Sequence, residues 1–151
     1  MKTGHRARGF TLIELLLVVA LIAVASGLAS LAIRDPAATQ LENEAARLAS
    51  LLEAARAQSR ATGMPVQWEP RPVAPATEGF RFVGLVQGFT LPTHWLGPGV
   101  SAEIIGQPAL VLGPEPILTR QRVVLRLDDR RLTLATDGLA PFAVVSDEAS
   151  S

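Results

Sequence analysis

One long apolar segment lies near the start of the chain, and the pattern of apolar and polar residues then changes twice. Between Phe10 and Ile33, 24 consecutive residues carry a single charged side chain, that of Glu14. From Leu41 onwards, apolar residues recur every three or four positions, and beyond Gly63 they alternate with polar residues. The first pattern predicts a membrane-spanning helix, the second an amphipathic helix and the third a set of β-strands.

The predicted span, residues 10–33, is long enough to cross a membrane once. A helix of 24 residues is about 36 Å long, and a bilayer core is about 30 Å thick. The leader before it, residues 1–9, has three basic side chains and no acid, so the positive-inside rule keeps it in the cytoplasm. An acid costs about 2.5–3.5 kcal/mol at the centre of a bilayer, so Glu14 is expected to have a function.

The amphipathic helix is predicted over residues 34–62. Its apolar stripe, which we expect to pack on the downstream domain, consists of Leu41, Ala45, Leu48, Leu52, Ala55 and Ser59. The charged residues, which lie mostly on other faces, are Glu42, Glu44, Arg47, Glu53, Arg56 and Arg60. At the start, Asp35 and Pro36 fit either a helix cap or a kink in one continuous helix. Thr62-Gly63 followed by Pro65 predicts the end.

The remaining residues, 63–151, are predicted to form an antiparallel β-domain. The alternating segments are Val66–Glu69, Gly79–Val86, Val123–Leu127, Leu132–Ala135 and Pro141–Val145. Residues 128–131 and Asp137-Gly138 predict turns, whereas residues 70–77 and 89–99 are too rich in proline or glycine for central strands. A helix followed by hairpin-linked strands predicts an α+β fold with the helix stripe on the sheet.

The junction of leader and span, Arg8-Gly9-Phe10-Thr11-Leu12-Ile13-Glu14-Leu15, resembles the type IV prepilin signal. In that family a leader peptidase cleaves after the glycine and methylates the new N-terminal phenylalanine. The resemblance implies cleavage between Gly9 and Phe10, N-methylation of Phe10, and an assembly charge pair between Glu14 and the Phe10 amine of a neighbouring subunit. Opposite charges that are costly alone in an apolar environment are tolerated together, which explains Glu14.

A general secretory signal is the alternative interpretation of the same segment. Ala23-Val24-Ala25 fits a small-residue cleavage site before Ser26. That interpretation leaves Glu14 inside the apolar stretch and lets apolar residues continue beyond the cut. The two interpretations predict different mature N-termini, Phe10 and Ser26.

The second half of the chain resembles the H-type minor pseudopilin of type II secretion systems. The segments that carry this resemblance are Leu41–Leu48, Ala54–Arg56, Gly63–Val66, Thr136–Gly138 and Pro141-Phe142. The resemblance implies a pilin-like fold: a long N-terminal helix on a C-terminal antiparallel β-domain. It also implies a structural subunit at or near the tip of a periplasmic pseudopilus, which helps to export folded proteins across the outer membrane. Minor pilins of type IV pili and DNA-uptake machines share this domain and are the alternative.

The same resemblance implies partners and a location. The partners are the prepilin peptidase, the major pseudopilin, the other minor pseudopilins and the assembly platform of the inner membrane. The chain is expected to cross the bacterial inner membrane once, with its C-terminal domain in the periplasm.

The composition of the chain argues against several other classes of function. The chain has 14 basic and 14 acidic residues, and removing the three basic residues of the leader leaves a net charge of −3. No basic stripe with interleaved aromatic residues is present, so no nucleic-acid partner is expected. The sequence leaves open a local basic patch at Arg120, Arg122 and Arg126, or at Arg130 and Arg131. With no cysteine, neither a disulfide nor a thiolate metal site can form.

A membrane-anchored or secreted periplasmic enzyme is a less favoured alternative. His94 is the one histidine outside the leader, and neither a G-x-S-x-G elbow nor a phosphate-binding loop is present. We therefore expect no catalytic residue, no metal and no cofactor.

Three apolar residues of the 89–99 loop are candidates for contact with another subunit. Aromatic residues often anchor interfaces, so Phe89, Trp95 and Leu96 form a hypothetical subunit contact. Trp95 is equally compatible with a place in the core, whereas Trp68, in an alternating strand, is predicted to be core.

Overall fold

The computed structural model describes residues 9–32, 35–71 and 79–145. These residues form two helices and seven strands, and the chain divides into two compact units between Asp35 and Pro36. The predicted leader therefore lies outside the described residues except for Gly9, as do most of the 70–77 loop and residues 146–151.

The first unit contains the helix α1, Leu12–Ala32, which lies within the predicted span. Within the part of the chain that the structure describes, no helix is both long enough and apolar enough to cross a membrane.

The second unit begins with the helix α2, Pro36–Thr62. Proline is well tolerated at the first position of a helix, where its missing N–H would have no partner within the helix. The helix ends at Thr62, where the Thr62-Gly63 signal predicts its end. All six residues of the predicted stripe are buried.

Two charged residues of α2 are buried as well, Glu44 and Arg56. The charged residues were expected mostly on other faces, and these two are the exceptions. Each lies three or four positions from stripe residues, so each shares their side of the helix. Their hydrogen bonds to loop backbone, described below, compensate part of the loss of water, while Oε2 of Glu44 and Nε of Arg56 have no hydrogen-bond partner among the described residues.

The strands form two antiparallel sheets that follow α2. Their bounds are β1 Gln67–Pro70, β2 Phe80–Val83, β3 Ser101–Ile104, β4 Leu110–Val111, β5 Gln121–Leu127, β6 Arg130–Thr136 and β7 Ala143–Val145. One sheet has the order β2-β1-β4 and the other β3-β5-β6-β7. Helix α2 packs on β5, β6 and β7. The predicted α+β fold, a helix packed against antiparallel sheets, is confirmed.

The side-chain amide of Gln121 joins the two sheets. Its Nε2 donates to the carbonyl oxygen of Val111 at 2.8 Å, and its Oε1 accepts the Val111 N–H at 2.6 Å. Gln121 thus lets a residue of β5 bond to β4 much as a neighbouring strand would. Because the amide is buried, these bonds also satisfy its polar atoms.

The hairpin prediction at residues 128–131 is confirmed in a shorter form. Asp128 and Asp129 make a two-residue turn, because Leu127 pairs with Arg130. The 89–99 segment contains no strand, as predicted. Strands β3 and β4 were missed; they have four and two residues, too few to show a period in a stretch rich in glycine and proline.

Candidate functional site at the start of the first helix

The peptide at the predicted cleavage position is accessible. Gly9 and Phe10 precede α1 in non-helical backbone, and Phe10 is 70 % exposed. No described atom lies within 4 Å of the position that a Cβ would take at Gly9, apart from its chain neighbours. A peptidase can therefore approach the Gly9-Phe10 bond without displacing another described part of the chain.

Thr11 caps the helix that follows. Its Oγ1 accepts a hydrogen bond of 3.3 Å from the backbone N–H of Glu14, and its carbonyl oxygen accepts the N–H of Leu15 at 3.1 Å. Threonine at the cap and glutamate three positions later is the capping-box spacing. Sequence reasoning assigned no role to Thr11, although the T-x-x-E spacing was the signal for one.

Glu14 lies in the first turn of α1, where the helix dipole favours a negative charge. Among the described residues, its exposed carboxylate has neither a hydrogen-bond nor an ion-pair partner. The charge pair predicted with Phe10 requires the amine of another molecule, and a single chain leaves the carboxylate available for it.

The side chains of α1 present a long apolar surface. Every residue from Gly9 to Leu28 is exposed, including Ile13, Leu17 and Leu21. Apolar patches of this kind mark contacts with other proteins or with lipid. The first unit thus carries a surface that its own described residues do not cover.

In the second unit, Glu44 holds the loop around Trp95. Its Oε1 accepts the N–H of Leu96 at 2.5 Å and that of Gly97 at 3.0 Å. Arg47, one turn further along α2, lies 3.9 Å from the second carboxylate oxygen and donates to the carbonyl oxygen of His94 at 2.8 Å. Two charged side chains of α2 thereby bind three backbone groups of this loop, those of His94, Leu96 and Gly97.

Arg56 holds the Asp137-Gly138 turn in a similar way. Its Nη2 donates to the carbonyl oxygens of Gly138 at 2.9 Å and Pro116 at 3.3 Å. Glu53 approaches it at 3.9 Å. The turn itself is stabilised by Asp137, whose Oδ1 accepts the N–H groups of Leu139 and Ala140 at 2.9 Å each. The Ala140 and Leu139 amides lower the pKa of Asp137.

Comparison with known proteins bears on both units. Residues 4–30 match the family model described as the prokaryotic N-terminal methylation motif. The fold is similar to a crystal structure of the type IV minor pilin FimU of Pseudomonas aeruginosa in space group P21, with a TM-score of 0.53 and 12 % identity over 72 % of this chain and 90 % of that one. The chain is a prepilin-like protein with a pilin fold.

A second FimU crystal structure from the same organism, in space group P65, gives a TM-score of 0.52 and 14 % identity over 70 % of the prepilin-like chain and 93 % of the FimU chain. At these identities the likeness establishes the fold alone. No curated protein sequence matches the chain. The methylation motif favours the prepilin interpretation of the N-terminus over the general secretory signal.

Trp95 of the prepilin-like chain lies in the core and does not present a surface to a partner. It is 7 % exposed, and its ring centroid lies 4.8 Å from that of Phe80, which also contacts Trp68. The prediction that Trp68 is core is confirmed. Of the hypothetical contact, Phe89 is half-buried and Leu96 is 62 % exposed, so Leu96 is the member that faces solvent.

Within the described ranges, no group of three His, Asp or Glu side chains could hold a metal ion. The polar clusters of the second unit instead bind backbone groups of the chain itself. These hydrogen bonds hold the loops in place.

Proposed function

We propose that this prepilin-like chain is a minor pseudopilin of a type II secretion system, at or near the tip of a periplasmic pseudopilus that helps to export folded proteins. The leader keeps the N-terminus in the cytoplasm while α1 anchors the precursor in the inner membrane and the second unit folds in the periplasm. Prepilin peptidase then cleaves between Gly9 and Phe10 and methylates the Phe10 amine.

Assembly follows from the chemistry of the mature N-terminus. Glu14 provides the negative charge for the amine of a neighbouring subunit, and the apolar surface of α1 packs against the helices of the major and other minor pseudopilins. Cleavage is a prerequisite, because the uncleaved precursor has a neutral peptide group where the amine must form.

The observation that carries the proposal is that a methylation motif, residues 4–30, includes the capped start and most of an exposed apolar helix, in a chain with a pilin fold. Two of the segments that carry the resemblance to the H-type subunit contact each other in the fold. Arg56, in the Ala54–Arg56 segment, donates to Gly138, in the Thr136–Gly138 segment. Segments far apart in the sequence therefore form one structural element.

A minor pilin of a type IV pilus or DNA-uptake machine is the second candidate function. The similarity to FimU, whose structures are described as those of a type IV minor pilin, favours this candidate. It shares the processing, the membrane anchor and the charge pair, and differs in the machine that the subunit joins.

For either machine we propose a structural role without enzymatic activity. Assay of the second unit with general esterase, peptidase, glycosidase and phosphatase substrates is expected to give no turnover above that of the buffer. Turnover that persists through purification and is lost by point substitution would contradict this part of the proposal.

The decisive experiment is a clean deletion in the native bacterium, scored for exoproteins in the medium, twitching motility and DNA uptake. Loss of secretion alone, with exoproteins retained in the periplasm and rescue by the wild-type gene, is the expected result. Intact secretion with lost motility or uptake would assign the protein to a type IV pilus.

Processing is tested in the same strain by the Gly9→Val substitution. A bulky residue at the cut should leave the leader attached, so the intact mass should be that of the unprocessed chain. The wild-type chain should instead begin at N-methylated Phe10. A mature chain that begins at Ser26 would restore the secretory-signal interpretation.

A further inference from the structure

An open cleft of about 430 Å³ lies where β5 begins and β6 and β7 end. Ala135 is paired with Arg122 of β5 on one side and with Ala143 of β7 on the other. Residues paired across strands point to the same side of a sheet, so the small side chain of Ala135 lines the cleft beside that of Arg122. Ile105, whose N–H donates to the Arg122 carbonyl oxygen, and Val145 form its apolar walls.

Two cationic side chains belong to the lining of this cleft. Arg120 and Arg122 both line it, and both are exposed. Among the residues that the structure describes, neither guanidinium makes a hydrogen bond or an ion pair, in contrast to Arg126, which pairs with Glu103 at 3.0 Å. Unpaired guanidinium groups can receive carboxylates in a planar, bidentate geometry.

Asp137 also lines the cleft, but it leaves the two arginines available. Its Oδ1 already accepts the backbone N–H groups of Leu139 and Ala140. No hydrogen bond or ion pair joins it to Arg120 in the described part of the chain, although, besides these two N–H groups, the charge of Arg120 helps to lower the pKa of Asp137. The carboxylate therefore supports the turn and attracts Arg120 at longer range, while the guanidinium keeps its donors.

The apolar walls add a second requirement for a ligand. Ile105 is 45 % exposed and Val145 is 39 % exposed, and both side chains lie beside the cations. Binding that covers these two side chains gains free energy from burial of apolar surface, whereas exposed charges add mainly orientation and specificity. A fitting ligand combines carboxylates with an adjoining apolar side chain.

We propose that this cleft is a docking site for an acidic segment of a neighbouring pilin-like subunit, whose carboxylates pair with Arg120 and Arg122 and whose apolar side chain covers Ile105 and Val145. The inference rests on the proposed function, because it takes the chain to be one subunit of an assembly. It adds a contact of the second unit to the packing of α1.

The lining favours a protein over a nucleic acid. No aromatic side chain lines the cleft, so bases have no ring to stack on. Two arginines also neutralise too few phosphates for strong binding of a nucleic acid.

The test uses the full chain in the native bacterium, with a photo-crosslinking amino acid at Ile105 and, in a second strain, at Val145. Adducts are identified by mass spectrometry of the crosslinked peptides. The charge reversals Arg120→Glu and Arg122→Glu are compared with Arg81→Glu and Arg126→Glu, which change the same charge at exposed positions outside the cleft.

The expected result is an adduct between the cleft and an Asp- or Glu-containing peptide of another pilin-like protein. Reversal of both cleft arginines should lower its yield roughly tenfold, because like charges would then face each other. The Arg81→Glu and Arg126→Glu chains should keep most of the adduct. Adducts at both probes that are insensitive to Arg120 and Arg122, or adducts that nuclease removes, would overturn the proposal.

A third probe, at Leu21 of α1, separates this inference from the proposed function. If Leu21 crosslinks to pilin-like proteins while Ile105 and Val145 give no adduct, the docking site is refuted and the subunit role stands. If Leu21 also yields no pilin-like partner, the proposed function fails with it.

Discussion

The guanidinium of Arg56 donates a hydrogen bond of 2.9 Å to the carbonyl oxygen of Gly138, 82 residues further along the chain. The same carbonyl oxygen accepts the N–H of Leu118 at 3.1 Å. Because Arg56 also bonds to Pro116, one buried side chain ties α2 to two loops that join strands of the domain. The link is therefore tertiary, and its loss should destabilise the whole second unit.

Substitution of Arg56 by alanine should lower the free energy of unfolding of the second unit by roughly 3 kcal/mol, since hydrogen bonds to charged groups contribute about 1.5–3 kcal/mol each. Urea unfolding of the Pro36–Ser151 unit measures this. Arg60→Ala, which removes the same side chain from an exposed position one turn later, should change the free energy by less than about 0.5 kcal/mol. Equal effects of the two substitutions would contradict the role given to Arg56.

Gly138 has a φ of +97°, and a Cβ there would overlap the carbonyl oxygen of Leu118. Gly138→Ala should therefore destabilise the unit by about 3 kcal/mol or more, through strain and clash together. Gly106 has a φ of +80° but no atom within 4 Å of the Cβ position, so Gly106→Ala should cost only about 1–2 kcal/mol. If thermal unfolding showed similar losses of stability for Gly138→Ala and Gly106→Ala, the overlap with the Leu118 carbonyl oxygen would carry no cost.

Asp137 makes stability depend on pH in a predictable direction. The Ala140 and Leu139 amides hold the pKa of Asp137 below its ordinary value of 3.8 in the folded protein. A carboxyl with a lowered pKa stabilises the folded state above its unfolded pKa, and this contribution is lost as the pH falls through the folded pKa. Asp137→Asn should therefore be less stable than wild type at neutral pH, and the difference should shrink below pH 3.8.

The control for that experiment is Asp129→Asn, in the hairpin between β5 and β6, where the side chain is 89 % exposed. Its difference from wild type should change less over the same range of pH. A pH-independent difference for Asp137→Asn would assign the effect to turn geometry and not to charge.

Much of the fold follows from local patterns in the sequence. The stripe from Leu41 to Ser59 was sufficient to predict α2, and the alternation in Val123–Leu127 was sufficient to predict β5. Each pattern is long, and its apolar residues face the same core. Thr62-Gly63 also predicted the end of α2, because a helix terminus depends on residues that are close to it in the sequence.

The parts that the sequence did not predict depend on partners far along the chain. Glu44 and Arg56 are charged, and their burial is favourable only because loop backbone more than 50 residues away supplies their partners. Trp95 lies in the core because Glu44 binds the backbone of the residue after it and because its ring packs against that of Phe80. Of the N-terminal site, Gly9, Phe10 and Glu14 follow from a local motif, whereas Thr11 was overlooked.

The role of Glu44 is tested most directly at the two backbone N–H groups that donate to its carboxylate. In Glu44→Ala, the N–H groups of Leu96 and Gly97 lose their acceptor, so their hydrogen exchange should accelerate by at least roughly tenfold, because a charged hydrogen bond of about 1.5–3 kcal/mol is removed. Amide exchange measured by NMR resolves these positions. Glu42→Ala, two residues earlier and exposed, should leave both amides protected, and equal acceleration would refute the assignment.

Glu14 connects the N-terminal geometry to assembly. Glu14→Leu keeps the helix apolar and leaves the Gly9-Phe10 bond unchanged, so the chain should still be cleaved and inserted. What it removes is the negative charge that would meet the amine of a neighbouring subunit, and that amine is then unpaired in an apolar environment. We therefore expect normal intact mass but a loss of roughly tenfold or more in crosslinks to other pilin-like subunits. Glu14→Asp, which retains the charge on a shorter side chain, should recover part of the yield, and undiminished crosslinking in Glu14→Leu would exclude the charge pair.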